Sequence, residues 1–228
     1  MRSFDYIESG KTLLTPHTTS LLAAIHEAKG RQSIQTTIRP DILGTLVAVA
    51  RIQSTDASNR IEGISTSDSR LNDLVSEKVT PRNRNEEEIA GYRDALSVIH
   101  ESHDYIPITP NVILQLHRDL FRHTPLTFAG HFKDSDNVII ERDAHGTSTV
   151  RFAPPSALVT PELIERACSA YTQAIRDGHT DPLLAIAMFI LDFTCIHPFN
   201  DGNGRMSRLL TLLMLCRNCL LYTSDAAD

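Results

Sequence analysis

Apolar residues recur at helical spacing along most of this chain, and this pattern limits the fold more than any other feature. The most apolar segment, residues 183–195, follows Asp181-Pro182, a pair that favours a helix start. Because apolar residues dominate this segment, we predict that it is the central helix of the core. The apolar stretch 209–216 is far shorter than the roughly 20 residues that span a bilayer. The sequence therefore predicts a helical protein without a membrane span.

Capping and periodic residues place the other predicted helices. Thr18-Thr19-Ser20 predicts the start of a helix that ends at Gly30 and turns an apolar face inward. Pro40 predicts the first turn of the next helix, which extends toward Gly63. Residues 65–83 are expected to form a loop or short helices. Further helices are predicted over 86–102, from Pro110, over 160–177 and from about Arg205. The predicted inward face of the helix that starts at Thr18-Thr19-Ser20 is Leu21, Leu22, Ile25 and Ala28.

The helical pattern is interrupted once, by a predicted β-hairpin. Residues 137–141 and 149–152 are rich in β-branched and aromatic side chains, and a turn segment with Gly146 separates them. The predicted fold class is therefore all-α, a helical bundle with one small inserted hairpin.

The composition describes an ordinary folded protein. The chain has 228 residues, of which 41% are hydrophobic and 22% charged, and this balance excludes bulk disorder. The formal net charge of −6 argues against a general nucleic-acid binder, which must neutralise phosphates. The first residues lack the apolar run of a signal peptide. Together with the use of cysteine, this predicts a soluble cytoplasmic protein.

The last ten residues, 219–228, break the pattern. Their sequence, CLLYTSDAAD, follows an amphipathic run abruptly and resembles the in-frame translation of a transposon adapter. The alternative is a native terminus. We expect the native sequence to be interrupted near Asn218.

A polar loop and helix start over residues 197–208 carries the candidate chemistry. Gly202 and Gly204 allow a tight turn and close approach of a ligand to the backbone. Free N–H groups at a helix start bind anions. Arg205 and Arg208 are three residues apart, so both could grip one polyphosphate.

Two further side chains of this loop have matching chemistry. Asp201 is a hard oxygen ligand suited to Mg²⁺. His197 is suited to act as a general base near neutral pH. The alternative is a helix–loop–helix with a structural histidine. The combination favours phosphoryl or nucleotidyl transfer.

This segment resembles the Fic family signature, His-Pro-Phe-x-(Asp/Glu)-Gly-Asn-Gly-Arg-x-x-Arg, at every fixed position. The resemblance implies transfer of AMP from ATP to a protein hydroxyl, with release of pyrophosphate. It extends more weakly over residues 106–218, so we expect a catalytic core there and an N-terminal helical region over 1–105.

The resemblance also implies a role for each position. His197 would deprotonate the target hydroxyl, Asp201 would bind Mg²⁺ between the α- and β-phosphates, and Arg208 would hold the γ-phosphate. Gly202, Asn203 and Gly204 would form an anion hole, with Asn203 on the α-phosphate and Arg205 also on the phosphates.

A second motif lies upstream. The run Ser58-Asn59-Arg60-Ile61-Glu62-Gly63 resembles the family's inhibitory motif, (Ser/Thr)-x-x-x-Glu-(Gly/Asn). The resemblance implies that Glu62 pairs with Arg208 and displaces the γ-phosphate, while Ser58 orients the helix. The alternative is that Glu62 is a helix-end carboxylate followed by a cap at Gly63.

The resemblance implies that the hairpin is the counterpart of the family's flap, which aligns a target chain by strand addition. The expected docking residues are Asn137, Val138, Ile139 and Ile140, and the alternative is a plain surface hairpin.

The predicted function is therefore an autoinhibited protein adenylyltransferase that uses ATP and Mg²⁺ and acts on an unidentified protein. Three alternatives stay open: another donor such as UMP, phosphate or phosphocholine, removal of AMP with Glu62, or a dormant ATP-binding regulatory module. A second copy of the chain is a further candidate partner, which would form a homodimer.

Two charged stretches are assigned no function. Residues 116–119, Leu-His-Arg-Asp, are interpreted as a helix face with its charges outward. Residues 80–88 are interpreted as a solvated loop and helix start.

Overall fold

The computed structural model describes residues 4–38, 40–142, 146 and 148–218. Helices dominate these residues, and the predicted all-α class with one small hairpin is confirmed. Within the described ranges, no helix is both long enough and apolar enough to cross a membrane. The predicted adapter segment, 219–228, lies outside the described residues. The elements are α1 (Tyr6–Leu13), α2 (Pro16–Ile38), α3 (Pro40–Ile61), α4 (Asp68–Val75), α5 (Arg84–Ser102), α6 (Pro110–Leu120), β1 (Ile139–Arg142), β2 (Ser148–Phe152), α7 (Thr160–Asp177), α8 (Pro182–Ile196) and α9 (Asn203–Asn218).

Helix α8 lies at the centre of the core, as its apolar sequence predicts. Phe189 and Phe193 are fully buried, and α7 and α9 pack along the helix. Burying such a side chain contributes about 1.5–3 kcal/mol relative to leaving it exposed. Because α8 and α9 share this core, the loop 197–202 that joins them runs between two fixed helix ends.

Side-chain caps begin two of the predicted helices. Thr109 Oγ1 accepts a hydrogen bond from the N–H of Val112 at 3.4 Å, at the start of α6. Asp181 Oδ1 accepts from the N–H of Leu183 at 2.9 Å, at the start of α8. Such caps satisfy backbone donors that have no acceptor within the helix. These predicted boundaries are confirmed.

The second helix differs from the prediction in extent and exposure. It does not end at Gly30 but continues to Ile38, since a glycine inside a helix costs only about 1 kcal/mol relative to alanine. The predicted inward face is wrong for Leu21 and Ile25, which are 51% and 47% exposed, and for Ala28, which is also exposed. Periodicity identifies an apolar face but not the element that covers it.

Helix α1 was not predicted from the sequence. It begins at Tyr6, where the side chain of Asp5 accepts from the N–H of Glu8 at 2.9 Å. The buried Tyr6 hydroxyl donates to Asp192 Oδ2 of α8 at 2.8 Å. A helix of eight residues with few buried positions gives too weak a periodic signal to recognise.

Two glutamates near the start of α5, Glu86 and Glu88, are buried, which corrects the solvated prediction for these two of residues 80–88. Glu86 accepts from Arg70 Nη2 of α4 at 2.6 Å and from the N–H of Arg82 at 2.9 Å. The hydrogen bond from Arg70 lowers the pKa of Glu86 to about 2. This ion pair ties α4 to the start of α5, and it fixes the segment that follows α3.

The hairpin is an isolated pair of antiparallel strands. Ile139 lies opposite Phe152 and Ile140 opposite Val150, with an irregularity between the two positions of β1. The predicted strands are confirmed with shifted ends, because β1 begins two residues later than Asn137. Residues 143–145 and 147 of the predicted turn lie outside the described residues.

Helix α5 meets the end of α6 at Gly91, where there is no room for a side chain. A Cβ atom there would lie far inside van der Waals contact with the carbonyl oxygen of Leu120. We predict that Gly91→Ala lowers the free energy of unfolding by at least about 1–3 kcal/mol. The matched control Gly30→Ala, with open space around its Cβ, should instead raise it by up to about 1 kcal/mol. Urea denaturation measures the free energy of unfolding of both variants. An equal increase in the two variants would contradict the close contact between α5 and the end of α6.

Candidate active site

His197 ends α8 in a left-handed backbone conformation. Its φ of 51° and ψ of 63° are uncommon for a residue other than glycine and cost of order 1–3 kcal/mol. The N–H of His197 still donates to the carbonyl of Phe193 at 3.0 Å, so the last helical turn is closed. Pro198 follows and cannot continue the helix. His197 therefore stands at the junction of helix and loop.

The environment favours the neutral form of the His197 ring. Burial lowers its pKa below 6.5, and the charge of Lys133 lowers it further, whereas the backbone carbonyl of Thr194 raises it. Nδ1 is buried, and no group in the described part of the chain lies in hydrogen-bond geometry with it. The Thr194 carbonyl therefore raises the pKa of His197 only weakly. A neutral imidazole is the form that accepts a proton.

His117 of α6 fixes the middle of the loop. Its ring stacks on Phe199 with centroids 3.7 Å apart. Nδ1 accepts from the N–H of Gly130 at 2.9 Å, so Nε2 carries the proton and donates to the carbonyl of Asp201 at 3.1 Å. Burial lowers the pKa of His117 to about 4. The prediction that the polar residues of 116–119 face outward is therefore wrong for His117. The only signal of its burial in the sequence is its apolar neighbours.

Asn203 closes the loop on itself. Its Oδ1 accepts from the N–H of Phe199 at 2.9 Å, and its Nδ2 donates to the Phe199 carbonyl at 2.7 Å. The side-chain amide is thus engaged within the loop. An interaction of Asn203 with a bound phosphate would use its backbone N–H.

Helix α9 begins with backbone donors that have no acceptor within the helix. The first intrahelical bond runs from the N–H of Met206 to the carbonyl of Gly202 at 2.8 Å, which leaves the N–H groups of residues 203–205. Gly202 turns the chain at a φ of 80°. The helix dipole adds positive potential at this end. The structure brings Gly202, Asn203 and Gly204 together in an arrangement that suits an anion.

Arg205 does not join Arg208 at this helix end. The Arg205 side chain is almost fully buried, and its Nη1 donates to Glu88 Oε2 of α5 at 2.7 Å. The guanidinium also lies over the ring of Phe121, 5.0 Å from the centroid. The expectation that both arginines grip one polyphosphate therefore does not hold for Arg205 in this structure. Its buried partner, Glu88, was not recognised because the prediction treated residues 80–88 as solvated.

Arg208 is held by the end of α3. Its Nε donates to Ser58 Oγ at 2.7 Å, and its Nη2 donates to the Ser58 carbonyl at 3.0 Å and to Glu62 Oε1 at 2.7 Å. Ser58 is buried, and the chain turns at Gly63 with a φ of 75°. The structure thus brings together Ser58, Glu62 and Arg208, the residues that the upstream motif singled out.

The Glu62 carboxylate also presses against the start of α9. A Cβ atom on Gly204 would clash with Glu62 Oε1, and Arg208 Nη1 lies 3.3 Å from the same position. The carboxylate therefore lies at the N-terminus of α9, between the backbone donors and Arg208. A negative group already lies beside the donors that would bind an anion.

Asp201, the predicted Mg²⁺ ligand, is exposed on the loop. Its Oδ1 accepts from the N–H of Gly202 at 2.6 Å. In the described ranges, no three histidine, cysteine, aspartate or glutamate side chains cluster as a metal site. Enzymes of nucleotides often bind Mg²⁺ through one or two carboxylates plus the substrate phosphates. The donor set therefore fits a metal that binds together with a nucleotide.

The hairpin beside the loop leaves the outer edge of β1 unpaired among the described residues. Among the described residues, β1 pairs with β2 alone, and Ile139 and Ile140 lie on β1. Val138 is exposed just before the strand. Asn137 differs, because its Oδ1 accepts from Lys133 Nζ at 3.1 Å and is engaged by the protein itself.

Comparison with known proteins agrees with this geometry. The sequence profile of the Fic/DOC family matches residues 107–215, which include α6, the hairpin, α7, α8 and the loop into α9. Residues 107–215 therefore form a Fic/DOC-family domain of this chain. The matched region contains the whole 197–208 segment but not the upstream motif at Ser58 and Glu62.

Individual relatives of this chain are distant. It is 38% identical over 85 residues to a Fido domain-containing protein of Dictyostelium discoideum, across 36% of this chain and 54% of that protein. It is 28% identical over 143 residues to the protein adenylyltransferase fic-1 of Caenorhabditis elegans, across 59% of this chain and 25% of that protein. The chain thus spans about half the length of the Dictyostelium protein and a quarter of the length of the C. elegans protein.

A solved structure supports the fold. The crystal structure of a Fic domain-containing signaling protein from Bacteroides thetaiotaomicron has a TM-score of 0.68 and 24% sequence identity. The match covers 78% of this chain and 66% of that one. At this identity the likeness shows a shared fold and nothing finer.

We predict that the His197 ring of this Fic-family domain titrates below pH 6.5, because burial and the Lys133 charge lower its pKa. The neutral, proton-accepting form is then present at pH 7 and is lost as the pH falls through this lowered value. NMR titration of the imidazole signals measures the midpoint, and loss of one signal in His197→Gln assigns it. A midpoint at or above 6.5 would contradict the electrostatic description.

Proposed function

We propose that this chain is a protein adenylyltransferase, autoinhibited by Glu62, that transfers AMP from ATP to a serine, threonine or tyrosine hydroxyl of a target protein. The observation that carries the proposal is the position of the Glu62 carboxylate, bonded to Arg208 and pressed against Gly204 at the start of α9. A carboxylate there occupies a place suited to a phosphate. The C. elegans relative, named a protein adenylyltransferase, supports the same reaction.

In this proposal His197 is the general base. The neutral ring accepts the proton of the target hydroxyl, whose oxygen attacks the α-phosphorus of ATP and forms the new P–O bond. The bond from the α-phosphorus to the oxygen that bridges to the β-phosphate breaks, and pyrophosphate leaves with that electron pair. The lowered pKa of His197 keeps the base in its active form at neutral pH.

The start of α9 and Arg208 bind the phosphates in this proposal. The backbone N–H groups of Asn203 and Gly204 donate to phosphate oxygens, and Arg208, once free of Glu62, holds the γ-phosphate. Asp201 would hold Mg²⁺ against the phosphates, and the bound metal would supply neutralisation of their charge. Arg205, paired with Glu88, supports the helix start from within the core.

The open edge of β1 is the proposed docking site for the target chain. An extended peptide can add to an exposed strand edge through main-chain hydrogen bonds, which position it without reading much of its sequence. Ile139 and Ile140 lie on that edge strand.

The solvent exposure of the Arg208–Glu62 ion pair determines how much activity the loss of Glu62 is expected to restore. Arg208 and Glu62 side chains are 31% and 35% exposed, so solvent weakens their attraction relative to a buried pair. Hydrogen bonds to charged groups contribute about 1.5–3 kcal/mol, and the lower end applies here. Since 1.4 kcal/mol corresponds to a factor of ten, loss of Glu62 should activate by about tenfold or more.

The test is labelling with ATP that carries radiolabel on the α-phosphate, with Mg²⁺ present. We predict strong self-labelling by Glu62→Gly, weak labelling by the unchanged chain and none by Glu62→Gly with His197→Ala. Ser58→Ala should label at an intermediate level, because Arg208 loses one acceptor but keeps Glu62. Glu77→Gly is the matched control: it removes an exposed carboxylate where the φ of 57° suits glycine, and it should not activate.

The outcomes separate the parts of the proposal. Equal labelling by the unchanged chain and Glu62→Gly would remove autoinhibition but keep the transferase. Absence of label in every variant, with ATP binding shown by calorimetry and folding by circular dichroism, would contradict adenylyl transfer and favour another donor or a dormant binding module. Label that survives His197→Ala would contradict the role of His197.

A further inference from the structure

Lys133 is a buried cation beside the 197–202 loop, and in the proposed reaction it enters only through the lowered pKa of His197. The residue lies between α6 and β1 and is 3% exposed. Burial lowers the pKa of its ammonium group, while the charge of Asp136 raises it. A buried charge is costly unless hydrogen bonds satisfy it, so its bonds indicate what the residue holds in place.

Lys133 forms one hydrogen bond with the residue before His197, through its side chain, and one with the residue after it, through its backbone. Lys133 Nζ donates to the carbonyl of Ile196 at 3.2 Å, and the backbone N–H of Lys133 donates to the carbonyl of Pro198 at 2.8 Å. Ile196 and Pro198 are the residues directly before and after His197. One residue therefore holds the peptide group directly before His197 and the carbonyl of Pro198 directly after it.

A third bond reaches the hairpin. Lys133 Nζ also donates to Asn137 Oδ1 at 3.1 Å, and Asn137 lies two residues before β1 begins. The ammonium group thus joins the C-terminal carbonyl of α8 to the root of the hairpin. This explains why Asn137 is turned toward the protein rather than presented to a ligand.

The backbone of His197 needs such support. A non-glycine residue in the left-handed region persists only where its surroundings hold it there. We propose that Lys133 is a positioning residue that holds His197 in its left-handed turn and ties that turn to the root of the hairpin. The inference rests on the proposed function in one respect, since the turn matters for the rate only if His197 is the base.

The location of Lys133 also separates its effect from nucleotide binding. Its bonds go to Ile196, Pro198 and Asn137, and none goes to the start of α9 or to Arg208. Removal of the ammonium group should therefore slow transfer and leave ATP affinity largely intact.

The experiment uses Lys133→Met in the Glu62→Gly chain, with Lys11→Met, which removes a largely exposed lysine of α1, as the matched control. The labelling rate at saturating ATP and the ATP dissociation constant are measured together. Hydrogen exchange by mass spectrometry follows peptides that cover 130–142, 194–200 and α7. We expect the rate to fall at least tenfold, ATP affinity to change less than twofold, and exchange to increase in the first two segments but not in α7. Lys11→Met should match its parent.

Each other result overturns the inference. A labelling rate equal to that of the parent, an ATP affinity that falls as much as the rate, or unchanged exchange at 130–142 and 194–200 would each do so. Faster exchange throughout α7 would show a general loss of structure instead. If Lys133→Met does not fold, Asn137→Ala removes the hairpin side of the link, and it should increase exchange at 130–142 and lower the rate.

Failure of the inference and failure of the proposed function are distinguishable. If the Glu62→Gly parent transfers no label, the proposed function fails, and the exchange measurement alone decides whether Lys133 holds the turn and the hairpin together.

Discussion

The short junction between α8 and α9 is the constraint on which the site depends. Both helices are buried in one core, so the chain must leave α8 and enter α9 within residues 197–202. It does so through a left-handed residue, His197, and a glycine with positive φ, Gly202. The backbone cost of that turn is offset by contacts from outside the loop, chiefly the stacking of His117 on Phe199 and the bonds of Lys133.

The same junction creates an excess of positive potential. Three backbone donors at the start of α9, the helix dipole and the Arg208 guanidinium all favour an anion at one point. In this structure the carboxylate of Glu62 lies at that point, brought there from the end of α3. The end of α3, which lies outside the matched family region, therefore contributes side chains to this site. The Arg70–Glu86 ion pair contributes by holding the segment after α3 against α5.

Much of the fold and loop could be predicted because the signals are local. The apolar run of α8, the caps at Thr109 and Asp181 and the glycine-rich loop each act over a few residues. Buried polar groups could not be predicted, because their partners are distant in sequence. Glu88 holds Arg205 across 117 positions, and nothing near Glu88 in the sequence indicates this. The exposure of α2 was missed for a related reason, since an apolar face does not reveal its partner.

We propose that the Glu62 carboxylate stands where the terminal phosphates of ATP would bind. Calorimetric titration of the unchanged chain and of Glu62→Gln with ATP and with AMP tests it most directly, because AMP lacks the β- and γ-phosphates. The account predicts that Glu62→Gln tightens ATP binding about tenfold and changes AMP binding less than twofold. Equal changes for the two nucleotides, or no change for ATP, would contradict it.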